Sequence, residues 1–96
     1  MARLWLIGEW DLAAAPDLDA ALRAVEAESR RVVVDLCRLT FMDSACLRTL
    51  MTAEACTRRA GVYLTVENPP RAVTKLLALT GAADRLRVVD HREVVA

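Results

Sequence analysis

Histidine is nearly missing from this 96-residue chain: His91 is the only one. Cys37, Cys46 and Cys56 are the only cysteines, and no two form a C-x-x-C pair. The ligand types and spacings of a zinc site are therefore absent. An odd number of widely spaced cysteines also argues against a disulfide framework. It fits free thiols in a reducing compartment, so the expected location is cytoplasmic. Glycine is scarce, with three residues in all and no G-x-x-x-x-G-K-[ST] run. A phosphate-cradling loop of the usual kind is excluded. Charge of one sign is not in surplus, because 13 Lys+Arg balance 13 Asp+Glu. Nucleic-acid binding needs a basic excess to release counterions, so no nucleic-acid partner is expected. A polybasic membrane anchor is equally unsupported. Apolar runs reach only a few residues, far short of the ~20 that span a bilayer, so direct membrane insertion is not expected. No basic stretch followed by an apolar run marks a secretory signal. No Ser-His-Asp arrangement forms around His91, which reads as a solvated surface residue. The chain is expected to be no enzyme and to carry no cofactor or metal.

Apolar residues, in contrast, are plentiful at 55%, above the usual ~45–50%. Disorder is thus unfavourable and a core can form. With aromatics at 4%, that core must be Leu, Val and Ala. The length suits one domain, residues 1–96. Arg3 to Ile7 reads as a strand with both faces apolar, and so with both faces covered. Gly8 ends it, and Glu9-Trp10-Asp11 reads as a turn. Ala13 to Glu28 reads as a helix with Pro16 in its first turn. Leu18, Ala21, Leu22 and Val25 form its apolar stripe. Val32 to Leu36 is β-branched, short and nearly all apolar, the signature of a central parallel strand. Cys37 to Met42 reads as a connecting loop. Asp43 or Ser44 can cap a helix that runs to about Ala60, with Gly61 as its stop. Val62 to Val66 alternates apolar and mixed residues, a strand with one wetter face. Asn68-Pro69-Pro70 opens a helix that uses Val73, Leu76 and Leu77 and closes at Gly81. Leu86 to Val89 is a last short strand, and His91 to Ala96 begins a final helix. The order β-α-β-α-β-α-β implies an α/β fold with a mostly parallel sheet and right-handed crossovers.

One segment stands out, from Thr40 to Leu47. It joins the central strand to a helix N-terminus, at the sheet edge where sites form in open parallel sheets. A hydroxyl there is well placed to carry a phosphate, since free N–H groups and the helix dipole stabilise negative charge. Equally, Asp43 and Ser44 can simply cap the helix. Cys46, in the first turn, is either a thiol with a depressed pKa or a small packed residue. Trp10 is either an exposed interface anchor or a cover for the end of the core.

Several stretches, in order and at matching spacing, resemble the STAS domain of bacterial anti-sigma-factor antagonists. Leu6-Ile7-Gly8-Glu9-Trp10-Asp11-Leu12 is similar to the family's L-x-G-E-[LI]-D turn. Val32-Val33-Val34-Asp35-Leu36 resembles its central strand. Phe41-Met42-Asp43-Ser44-Ala45-Cys46-Leu47 resembles its F-M-D-S-[ST]-G-L switch motif. Val66-Glu67-Asn68-Pro69-Pro70 and Leu79-Thr80-Gly81 match later segments. The resemblance implies a small mostly parallel sheet with helices mainly on one face, its first strand and last helix shortened. It implies binding to an anti-sigma factor with kinase activity, which releases a sigma factor. The binding surface it implies comprises Glu9, Trp10, Asp11, Met42, Asp43, Ser44, Ala45, Cys46, Leu47 and Arg48.

The family's usual phosphoacceptor lies two places after the motif Asp, where this chain has Ala45. Ser44 is the remaining candidate acceptor. Either Ser44 takes over, or the domain binds its partner constitutively. The other role the resemblance allows is a cytosolic adaptor subunit of a transporter, a lipid ABC system or an anion permease, or of a signalling assembly. The shortened start leaves a sheet edge open, from which a homodimer is expected.

Overall fold

The computed structural model describes residues 1–91. Strands β1 (Ala2–Trp5) and β2 (Gly8–Trp10) lead through a 3-10 turn (Leu12–Ala14) into α1 (Ala15–Glu26). Strands β3 (Arg31–Asp35) and β4 (Leu39–Met42) precede α2 (Ser44–Arg59). Strand β5 (Tyr63–Glu67), α3 (Arg71–Thr80), a second 3-10 turn (Ala82–Asp84) and β6 (Arg87–Val89) complete the order. The main sheet runs β1-β3-β5-β6, every pair parallel. β3 has neighbours on both edges, as its unbroken valines require.

Register explains where the core lies. Leu4 pairs with Val34, Val32 with Leu64, and Val66 with both Val34 and Val88. These side chains share one face of the sheet. All three helices press against it, through Leu18 and Leu22 of α1, Leu47 and Leu50 of α2, and Val73 and Leu77 of α3. The expected small α/β fold with helices mainly on one face is what forms. Gly81 ends α3 at φ +75°, a backbone state that only glycine enters without strain.

Three expectations are corrected. Glu9 and Trp10 belong to a strand rather than a turn, and the expected Cys37–Met42 loop contains one. β2 and β4 pair with each other in parallel, Glu9 beside Phe41 and Trp10 beside Met42. Strands of three and four residues carry too little pattern to read alone; each exists because the other is alongside. Gly8, at φ +83°, turns the chain out of the main sheet into this small ribbon. The outer face of β1 is also not covered among the described residues. Leu6 is buried, but Trp5 is 46% and Ile7 60% exposed. The expected helix at His91–Ala96 lies, beyond His91, outside the described residues.

That outer face carries a charge network. Arg3 Nη1 donates to Asp35 Oδ2 at 2.8 Å and to Glu67 Oε1 at 2.9 Å, joining three adjacent strands. His91 Nε2 lies 3.3 Å from the same Glu67 oxygen. Burial pushes the Asp35 carboxyl up, but the Cys37 N–H and the Cys37, Asn68 and Arg3 side chains outweigh it, so its pKa is lowered. β1 is an edge strand of the sheet.

Candidate partner-binding site

The ribbon and the N-terminus of α2 build a lip at the C-terminal end of the strands. Asp43 is the N-cap of α2: its Oδ1 accepts the Cys46 N–H at 3.0 Å. Its second oxygen accepts the Leu12 N–H at 2.8 Å, so one carboxylate fastens two motif segments together. The Asp43 N–H in turn donates to the Trp10 carbonyl at 3.1 Å. Asp11 caps the 3-10 turn through the Ala13 N–H at 3.1 Å. Its carbonyl accepts the Cys46 S–H at 3.0 Å. Asp11 and Asp43 therefore sit side by side, each already holding backbone.

The ten residues implied by the resemblance divide by exposure. Glu9, Asp11, Ser44 and Arg48 are exposed, while Trp10, Asp43 and Ala45 are half-buried. Met42, Cys46 and Leu47 are buried in the core cluster. These three face inward and support the lip from below. Trp10 packs against the core, and its indole N–H is spent on the Ile7 carbonyl at 3.1 Å. It covers the end of the core. Cys46 is no activated thiol: burial raises its pKa, and the negative charges of Asp43 and Asp11 raise it further. The helix N-terminus would lower it, but that end is already occupied by the Asp43 carboxylate.

Ser44 opens α2 with its side chain exposed, beside the cap that Asp43 provides. Ala45, one residue on, bears no hydroxyl. Among the described residues, no group of three or more His, Cys, Asp or Glu could hold a metal ion. No described helix is long and apolar enough to cross a membrane.

Next to the lip runs an open groove of about 460 Å³ between α1 and α2. One wall is Leu12, Ala15, Pro16 and Asp19; the other is Ala45, Arg48, Thr49 and Thr52. On α2 the spacing i, i+3, i+4, i+7 makes the wall a single helical face, while the other wall joins Leu12 of the 3-10 turn to Ala15, Pro16 and Asp19 of α1. Leu12, Pro16, Thr49 and Thr52 were not among the expected contact residues. The spacing on α2 was the available signal, hidden because two threonines and an alanine do not form an apolar stripe.

A STAS domain is what this sheet, helix layer and capped lip define, and the chain belongs to that family. The family model that matches residues 2–90 is described as "Mlab, STAS domain". Solved structures share the fold at low identity. The anti-sigma factor antagonist SpoIIAA in its unphosphorylated form superposes with a TM-score of 0.78 at 20% identity, over 95% of this chain and 79% of that one. Phosphorylated SpoIIAA of Bacillus gives 0.72 at 19%, over 95% and 82%. A Thermotoga maritima protein provisionally described as an anti-sigma factor antagonist gives 0.80 at 15%, over 94% and 80%. A sulfate transporter family protein from Wolinella succinogenes gives 0.79 at 18%, over 95% and 77%. No match is found among curated protein sequences.

Proposed function

We propose that the chain is an anti-sigma factor antagonist of the STAS type, acting in the cytoplasm. It docks its lip onto an anti-sigma factor with kinase activity and so frees a sigma factor. The observation that carries this reading is the Leu12 N–H bond to Asp43 at 2.8 Å. It unites the Gly-Glu-Trp-Asp segment and the Asp-Ser-Ala-Cys segment, distant in sequence, into one surface with exposed Glu9, Asp11 and Ser44. Binding is constitutive. A kinase needs one hydroxyl in line with the γ-phosphate, and moving the acceptor from position 45 to 44 rotates it by ~100° about the helix axis.

Ala45→Glu places a charge on the lip and is expected to abolish binding to the anti-sigma factor, measured by calorimetry. Equal affinity for wild type and variant would remove the lip from the interface. Incubation with that kinase and ATP, followed by mass analysis of the Ser44 peptide, is expected to show no phosphate. A phosphorylated peptide would restore the switch.

The likeness to the Wolinella transporter-family protein favours a second reading, an adaptor subunit of a transporter. Absence of an acceptor at Ala45 suits that role too. Co-purification with a permease and ATPase pair, and not with a kinase, would decide for it. In either role the open edge of β1 supports pairing of two copies, which sedimentation at high concentration reads directly.

A further inference from the structure

We propose that the groove between α1 and α2 receives an apolar helix of a protein partner, with a carboxylate of that helix aimed at Arg48. This rests on the reading of the chain as a protein-docking module, not on which partner it docks.

The groove's own polar groups are largely spoken for. Asp19 is paired with Arg23 at 2.9 Å. The Thr49 hydroxyl donates to the Ala45 carbonyl of its own helix at 3.2 Å, so the groove meets little unspent polarity from it. Ala15 and Ala45 give the floor small side chains and depth. Leu12 stands on the rim, 69% exposed, yet its backbone is fixed by Asp43. An apolar anchor that is already held loses little freedom on binding. Arg48 is exposed and has no ion pair among the described residues. The groove thus offers one cation without an ion pair among the described residues, on a wall otherwise made of an alanine and two uncharged threonines. A helix lying along the seam of α1 and α2 matches the groove's shape, and a carboxylate is the partner that a guanidinium fork selects. The groove is open along its length rather than closed, which suits a helix better than a small molecule.

The test places a photo-crosslinking amino acid at position 16 or 52 of the full chain in its own host, with position 44 at the lip and position 63 on the opposite sheet face as comparisons. Positions 16 and 52 are expected to capture one partner through an apolar segment bearing Asp or Glu. Arg48→Glu, with an unchanged melting temperature, is then expected to weaken binding of that partner at least about tenfold. Reversing the partner's acid to Lys restores it. The proposal is overturned by no capture from 16 and 52, by a captured segment without a carboxylate, by capture of a second copy of this chain, or by Arg48→Glu binding like wild type. An anti-sigma factor captured from position 44 alone would sink the groove and leave the proposed function standing. A transporter subunit captured from 16 and 52 through an acidic helix would do the reverse.

Discussion

Asp43 is the residue on which the lip hangs, and its two bonds can be separated by substitution. Asp43→Asn keeps a good N-cap, since Asn and Asp cap about equally well. It has only one carbonyl oxygen, however, and cannot serve the Cys46 and Leu12 N–H groups at once. The loss is one hydrogen bond to a charged acceptor at a partly exposed site, about 1 kcal/mol. Asp43→Ala removes both. The cap adds about 1 kcal/mol, within a range of roughly 0.5–2, for a total of about 2 kcal/mol. In a domain of this size each kcal/mol moves the melting temperature by about 4–8 °C. Asp43→Asn should therefore melt about 4–8 °C lower than wild type, and Asp43→Ala about twice as far below. Urea unfolding should show the same order with unchanged slope, because the exposed area is unaltered. If the two variants melt together, the Leu12 tether and the helix cap are not separable contributions. If Asp43→Ala costs less than about 0.5 kcal/mol, the carboxylate does not hold the lip.

Thiol labelling of the native protein should modify exposed Cys37 and Cys56 quickly and buried Cys46 only on unfolding; rapid native labelling of Cys46 would contradict its burial and raised pKa. Arg3→Met removes a bond that helps hold the Asp35 pKa down. A depressed carboxyl pKa stabilises above the unfolded value and ceases to do so as pH falls through the folded one. The variant's melting deficit should thus be greatest near pH 7 and narrow toward about pH 3–4; a deficit independent of pH would exclude the network. Leu50→Ala, at a fully buried position, should cost about 3–4 kcal/mol by chemical denaturation, and a loss under about 1 kcal/mol would mean the site collapses around the gap.

What was legible in the sequence followed strong local signals. Val32–Val34 announced a central strand, Asp43 a helix cap, and Gly81 a helix end, because each depends on chemistry within a few residues. β2 and β4 were not legible, since neither has a partner until the chain folds and their few residues show no period. Both sides of β1 looked alike in the sequence; only the placement of the helices decided that Leu4 and Leu6 go in and Trp5 stays out. Asp11 and Asp43 were expected on one surface, and they lie there. The bond that joins them runs to a backbone N–H, which no residue identity reveals. Met42, Cys46 and Leu47 neighbour Ser44 in the sequence and so look like contacts, but the pleat of β4 turns Met42 inward and the phase of α2 turns Cys46 and Leu47 inward.

Arg3 reaches two carboxylates that enter the chain 32 and 64 residues after it. Strand β1 thus has no neighbour in the main sheet until β3 follows, and its guanidinium is not fully satisfied before Glu67 has been made. Contacts of such long sequence separation slow folding, and a nascent chain halted before Glu67 would leave β1 waiting with its charge half answered.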